Sequence, residues 1–122
     1  MKKLLTAGLV AALLHGCAGS GLYPDTDVVE PRDFELKVGT GIQKSGGLLL
    51  SGALEYAGPG DLVQVYRDYV AAMRGHGWSG ANDEIAGQKA TGTLRKDNRT
   101  CALEFTSAGG QVKVSIKVSQ TK

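Results

Sequence analysis

Residues 99–119 read RTCALEFTSAGGQVKVSIKVS, and they contain the strongest strand pattern of the chain. Its second half alternates apolar and polar side chains without a break, the apolar ones being Val112, Val114, Ile116 and Val118. Its first half places Cys101, Leu103 and Phe105 on one face of a strand. The segment 107–110, Ser-Ala-Gly-Gly, separates the two halves and has the composition of a hairpin turn. Period-2 alternation on both sides of a short turn predicts two antiparallel strands with one buried face.

The chain upstream contains one amphipathic helix, predicted over 62–75. Its apolar positions follow the spacing i, i+3, i+4, i+7, i+8, i+11 and are Leu62, Val65, Tyr66, Tyr69, Val70 and Met73. Asp61 and Gln64 fit a capping box at its start. Gly75-His76-Gly77 follows and ends the helix. We expect Trp78 to close the core over this end. His76 suits a capping position there, because a helix C-terminus stabilises a positive charge.

Three further strands are expected. They lie over 34–38, which Gly39-Thr40-Gly41 should end, over 48–56, and over 86–96, with bends at Gly87 and Gly92. The order is then β-β-α-β-β-β. Because the helix has one apolar stripe and each strand one apolar face, we predict an α+β domain in which the helix covers one face of an antiparallel sheet.

Charge excludes one class of partner. The 122 residues carry a formal net charge of +2, and two of the basic residues are Lys2 and Lys3. The remainder of the chain therefore holds 12 basic and 12 acidic residues. Because nucleic-acid binding usually needs a clear basic excess, we do not expect a nucleic-acid partner.

The N-terminus is typical of an export signal. A positive start precedes the apolar run 4–14, which as a helix would rise only ~16 Å and is too short to span a bilayer. Leu14-His15-Gly16-Cys17 resembles the lipobox of bacterial lipoproteins. The resemblance implies a signal peptide over 1–16, cleavage between Gly16 and Cys17, and lipidation of Cys17. His15 departs from the usual small residue at its position.

Lipidation implies a location. Several acyl chains on one residue hold a protein firmly at a membrane, whereas a single chain holds it weakly. By the lipoprotein sorting pattern of enteric bacteria, Ala18 rather than Asp after the cysteine implies the outer membrane, with the domain facing the periplasm.

Residues 17–31 are rich in Gly, Ser, Pro and Asp and show no periodicity, so we predict a flexible tether followed by a single domain over 32–122. The tether is acidic, with Asp25, Asp27 and Glu30, while the segment 89–122 is basic. The tether could fold back onto that segment. The alternative, which we favour from the sequence, is that both are solvated surfaces that do not interact.

No residue pattern predicts catalysis, a metal site or a cofactor. Cys101 shares a face with apolar residues and is expected in the core. His76 has no partners at ligand spacing. Asp83 and Glu84 are adjacent, so on a strand they would point to opposite faces. The glycine-containing loops lack the Gly-Lys-Ser/Thr ending of a phosphate-binding loop.

A partial resemblance covers about half of the chain. The motifs that carry it are Leu54-Glu55-Tyr56, a helix with Val65-Tyr66-Arg67-Asp68-Tyr69 and Met73, then Gly77-Trp78, Leu94-Arg95-Lys96 and Arg99-Thr100-Cys101. This region resembles a group of small, largely uncharacterised bacterial lipoproteins, and it is loosely similar to the helix-on-sheet domains of the β-barrel assembly lipoprotein C. These are packing motifs, so the resemblance implies a fold and a class but no activity.

Two functional hypotheses follow. The first is a lipid-anchored, non-enzymatic envelope protein, held at the membrane through Cys17, that acts through contacts with an envelope protein partner. The alternative is a small-molecule or peptide binding module. Its site would be a groove between helix and sheet near Tyr56, Tyr66 and Trp78, whose aromatic rings could also be ordinary core residues.

Overall fold

A computed structural model describes residues 21–80 and 82–121. The predicted signal peptide 1–16, the cleavage site Gly16–Cys17 and the lipidated Cys17 lie outside the described residues and stay predictions. The described chain opens with residues 21–31, here called the strap, and continues into seven strands and a helix. In chain order these are β1 (Glu35–Ser45), β2 (Leu48–Gly58), α1 (Leu62–Gly75), β3 (Ser79–Gly80), β4 (Glu84–Ala86), β5 (Lys89–Lys96), β6 (Arg99–Ala108) and β7 (Gln111–Gln120).

The strands form one antiparallel sheet, and the domain is α+β as predicted. The sheet order is β1-β2-β7-β6-β5-β3, and β4 also pairs with β5. The predicted element order is incomplete, because two short strands follow the helix and lie along the outer edge of β5. The strand expected over 86–96 divides at Gly87, whose φ of 60° allows the tight turn between β4 and β5.

The β6–β7 hairpin forms as predicted. The turn residues Gly109 and Gly110 both have positive φ, and β6 and β7 pair in unbroken register from Arg99↔Gln120 to Ala108↔Gln111. Such a two-residue turn matches the twist of the strands it joins, which is why the local sequence sufficed to predict it.

The first strand differs from the prediction. β1 does not end at Gly39-Thr40-Gly41 but continues to Ser45, paired with β2 through three register shifts. Each shift lets the strand absorb an irregular stretch and still pair. β1 is also an edge strand, so its side chains are largely exposed instead of half buried. Phe34 precedes it and lays its ring against Gly58, where no Cβ would fit.

The core lies on one face of the sheet, here called the covered face. Cross-strand register places Tyr56, Val114, Phe105 and Ala90 in one row on this face. α1 packs above them, with the Tyr66 ring edge-on to Phe105 at a centroid distance of 5.2 Å. The opposite face, here called the open face, carries the alternate side chains of the same strands.

The predicted bounds of the helix, 62–75, and its N-cap at Asp61 are confirmed. The Asp61 carboxylate accepts a hydrogen bond from the Gln64 N–H at 3.1 Å, while the Gln64 amide bonds to Asp68 instead of completing the box. Five of its apolar residues are buried, namely Leu62, Tyr66, Tyr69, Val70 and Met73. His76 is the C-cap, and its N–H donates to the Met73 carbonyl at 2.9 Å.

The strap corrects the predicted domain boundary. The sequence predicts a flexible tether over residues 17–31, but residues 21–31 pack on the domain. Val28 and Val29 are fully buried, and the Val29 N–H contacts the Met73 sulfur at 3.3 Å. Two adjacent apolar residues within a glycine- and aspartate-rich segment gave no periodic signal, yet they fill the part of the core beside the helix.

Candidate functional site

The three aromatic residues predicted to line a groove are all in the core. Tyr56 lies on β2, Tyr66 on α1 and Trp78 directly after α1, and each side chain is almost fully buried. The two tyrosine hydroxyls and the indole N–H each donate a hydrogen bond to a residue of another segment of the chain. The structure therefore does not bring these three side chains together around an open groove.

Tyr56 is covered by the strap. Its hydroxyl donates a hydrogen bond to a Glu30 carboxylate oxygen at 2.7 Å. Burial, and then this bond to an anion, raise the pKa of Tyr56 well above its ordinary value. Tyr56 consequently stays a neutral donor that helps to hold the strap on the sheet.

Tyr66 is fixed by the loop before β4. Its hydroxyl donates to Asp83 at 2.6 Å and lies 3.1 Å from the Thr91 carbonyl. Burial, followed by the bond to Asp83, raises the pKa of Tyr66. Gly92 leaves the space that this hydroxyl occupies, because a Cβ there would collide with it. Through its contacts with Asp83 and the Thr91 carbonyl, Tyr66 joins α1 to the loop before β4 and to β5.

Trp78 closes the core as predicted, but its partner was not foreseen. The indole N–H donates to the Asp27 carbonyl at 3.0 Å, and the Arg99 guanidinium lies 4.9 Å from the ring centroid. A guanidinium over an aromatic face is a favourable cation–π arrangement. Trp78 thus connects the strap to the end of the helix.

An ion cluster surrounds the Asp27 carboxylate. Arg99 contacts it through two nitrogens at 2.9 and 2.7 Å, and the Lys96 ammonium lies 2.9 Å away. The Leu49 N–H donates to the same carboxylate at 3.3 Å, and the Leu49 carbonyl accepts from Arg99 at 2.9 Å. We call Asp27, Lys96 and Arg99 the Asp27 cluster. It joins the strap to β2, β5 and β6.

The cluster is well shielded from water. Side-chain exposure is 1% for Arg99, 12% for Asp27 and 23% for Lys96. Burial raises the pKa of Asp27, but the hydrogen bonds from Arg99 and Lys96 outweigh it and hold that pKa well below the ordinary value. The hydrogen bonds that Arg99 donates to Asp27 raise the pKa of Arg99. Both groups are ionised, and the two-point contact is the strong form of this pair.

The sequence alone does not identify Asp27 and Arg99 as key residues. Its acidic segment 17–31 and basic segment 89–122 are compatible with a fold-back, but the favoured prediction is two solvated surfaces that do not interact. The structure shows the less favoured alternative, since Asp27 bonds to two residues of the basic segment. The available signal was the opposite charge of the two segments, which did not identify the pairing residues.

Concave regions outside the core include two formed by residues 21–80 and 82–121. A cleft of about 350 Å³ opens between the strap and the helix, lined by Glu30, Pro31, Phe34, Val65, Tyr69 and Ala72 among others. A shallow concavity of about 550 Å³ lies on the open face, lined chiefly by Lys37, Glu55, Glu104, Thr106, Lys113 and Ser115. The first is lined by polar and apolar groups alike, and the second carries two lysines and two glutamates on a lining that is otherwise neutral.

Cys101 is a core residue, as expected. Its side chain is fully buried, and burial raises the pKa of its thiol to about 12. A thiol with a raised pKa is a poor nucleophile, because the thiolate is the reactive form. In residues 21–80 and 82–121, no group of three or more His, Cys, Asp or Glu side chains is arranged to hold a metal ion.

Comparison with known proteins yields no relatives. No protein-family model, curated protein or solved structure matches the chain. The resemblances drawn from sequence motifs therefore stay predictions. In the part of the chain that the structure describes, no helix has both the length and the apolar composition needed to cross a membrane.

Proposed function

We propose that this chain is a lipid-anchored bacterial envelope protein, held at the outer membrane through Cys17 and facing the periplasm. The observation that carries the proposal is Leu14-His15-Gly16-Cys17 at the end of a charged and apolar leader. The packed strap includes Gly21, which follows Cys17 by four positions, so an anchor at Cys17 would be close in sequence to the strap.

The domain would act through protein contacts and not through catalysis. Of the titratable groups with shifted pKa values, Asp27, Tyr56, Tyr66 and Arg99 are bonded within the protein. They support the fold and are not free for acid–base chemistry. The open face is the face of the sheet that neither strap nor helix covers, and its lysines and glutamates would pair with complementary charges on a partner protein.

Metabolic labelling with a fatty-acid analogue tests the anchor. We expect label on the parent and none on Cys17→Ser, because the thiol is the attachment point. Cys101→Ala is the matched control and should keep the label, since Cys101 is buried. Undiminished labelling of Cys17→Ser contradicts the anchor.

Site-specific photocrosslinking in the native envelope tests the protein contacts. A photoreactive residue at Ser115, in the open-face concavity, should give a discrete adduct with a second protein. The same residue at Arg67, on the exposed side of α1, is the control and should not. Adducts from Arg67 but not from Ser115 would mean that the helix, not the open face, makes the contact.

The binding-module hypothesis is a second candidate, and the cleft between strap and helix is the observation that favours it. The cleft volume lies within the range of small-ligand pockets. The site would differ from the predicted groove, since Tyr66 and Trp78 are covered; Tyr56 is linked to the cleft through Glu30.

Thermal-shift screening with envelope lipids, glycans and peptides tests this candidate. Ala72 lines the cleft, whereas its neighbour Ala71 is exposed and does not. A saturable shift should be lost in Ala72→Phe and kept in Ala71→Phe. A shift that both variants keep places the ligand elsewhere.

A further inference from the structure

The exposed apolar side chains gather at one edge of the sheet. Among the described residues, the large apolar side chains that are exposed are Leu22, Leu36 and Val38, at 39%, 38% and 46% exposure. Leu36 and Val38 belong to the edge strand β1 and lie on either side of the bulge at Lys37. The side chains of Leu54, Val114 and Ile116, in contrast, are buried.

Leu22 belongs to the strap, whose first residues contact the same edge. Its neighbour Tyr23 reaches β1, where the hydroxyl lies 3.8 Å from the position a Cβ would have on Gly39. Lys44, also on β1, donates to the Pro24 carbonyl at 3.2 Å, and its ammonium lies 5.6 Å from the centroid of the Tyr23 ring. The start of the strap is therefore fastened along β1.

The predicted anchor cannot be far from this edge. Four peptide units separate Cys17 from Gly21, and consecutive Cα atoms are 3.8 Å apart, so the two Cα atoms are at most ~15 Å apart. This limit holds for any conformation of the intervening residues. A bilayer that holds acylated Cys17 would thus lie beside the edge that carries the exposed apolar residues.

We propose that the β1 edge rests on the surface of the membrane, with Leu22, Leu36 and Val38 in the interfacial region. The proposal rests on the lipid anchor proposed above. Partial insertion of exposed apolar side chains at the level of the headgroups is favourable. It would orient the domain so that the β4 edge points away from the bilayer.

The contact should not depend on anionic lipid. Lys37 is paired with Glu35 at 3.0 Å, and Lys44 lies 3.9 Å from an Asp25 oxygen. The two lysines of this edge are therefore matched by acidic neighbours, and the attraction is mainly apolar. Because these charges are balanced, we expect the domain to lie on neutral and anionic vesicles in the same orientation.

A second copy or a partner strand is a poorer occupant of this edge. Pairing would require β1 to present a regular row of backbone groups, but its three register shifts bend and twist it. Irregular edges of this kind protect a sheet against further strand addition. A lipid surface places no such demand on backbone register.

Fluorescence quenching by nitroxide-bearing lipids tests the orientation. The full-length chain, lipidated in the cell and purified, is labelled with bimane at Val38→Cys or at Glu84→Cys and reconstituted in phosphatidylcholine vesicles. The matched control comes from the register, because Val38, Glu55, Ser115, Glu104, Thr91 and Glu84 follow one row across the open face. Five strand spacings of ~4.8 Å put the two labels ~24 Å apart. Native Cys101 is buried and should not react.

We expect severalfold stronger quenching at position 38 than at 84, unchanged when a third of the lipid is phosphatidylglycerol. Equal quenching at both positions, or none at either on a chain whose mass shows acylation, overturns the orientation. Quenching at 38 that falls when unlabelled protein is added would indicate pairing between copies and also overturns it. A mass without acyl groups would instead refute the lipid anchor, and this inference with it.

Discussion

The substitution Asp27→Asn tests whether the strap is part of the folded domain. It removes the negative charge from a carboxylate with 12% exposure and leaves Arg99, with 1% exposure, only the exposed Asp97 carboxylate at 3.6 Å as an ionic partner. Removing one member of a buried ion pair typically costs ~3–5 kcal/mol, because the remaining charge is uncompensated. Asparagine keeps one acceptor oxygen, and the Leu49 carbonyl still accepts from Arg99. We therefore expect the lower end, ~3 kcal/mol.

Urea denaturation of the soluble chain 18–122 measures this loss. With a slope of ~1–3 kcal/mol/M for a small domain, a loss of ~3 kcal/mol lowers the unfolding midpoint by about 1–3 M. Asp25→Asn is the matched control, because Asp25 is 87% exposed and lies 3.9 Å from its lysine. Exposed pairs contribute little, so the control should stay within ~0.5 kcal/mol of the parent. Equal midpoints for the two variants would refute the structural role of Asp27.

The same comparison has a defined pH dependence. The pKa of Asp27 is lower in the folded state than in the unfolded chain, where it is ~3.9. The unfolded state therefore takes up the proton first as the pH falls, and the contribution of Asp27 to stability is complete above that value. The difference in unfolding free energy between parent and Asp27→Asn should be constant from about pH 5 to 7 and shrink below about pH 4. A difference that grows on acidification would contradict the ionised pair.

Two substitutions and one thiol-labelling reaction test the core. Met73→Ala should cost ~2–5 kcal/mol in urea denaturation, as for other large-to-small changes at fully buried positions, and a parent-like midpoint would place α1 elsewhere. Cys101 should react with a bulky thiol reagent only when denaturant unfolds the domain, and rapid labelling in buffer would contradict its burial. Gly92→Ala should cost ~1–3 kcal/mol because its Cβ collides with the Tyr66 hydroxyl, and the cost should be smaller in a Tyr66→Phe background, whereas equal costs would exclude that collision.

The helix and the last hairpin could be predicted because their signals are local. The cap at Asp61 and the apolar stripe specify α1 within fourteen residues. The β6–β7 hairpin needs only its own alternation and the turn at Gly109-Gly110. Period and turn chemistry act over neighbouring residues, so a single sequence contains them.

The strap and the edge strand could not be predicted for the opposite reason. Asp27 is stabilised by Arg99, 72 residues later in the chain, and no periodicity links the two positions. β1 continues past Gly41 because β2 supplies partners for its backbone, which its own composition does not indicate. The predicted groove had the same difficulty: Tyr56 is covered by Glu30, a residue from a segment expected to be flexible.

The strap constrains how an anchored domain could work. It contains both the connection toward Cys17 and the buried Val28 and Val29, so pulling it away would expose the core and break the Asp27 cluster. A partner that binds the folded domain must therefore leave the strap in place. Under the proposed orientation, in which the β1 edge rests on a bilayer, the open face would be the sheet surface left for a partner, because strap and helix occupy the covered face.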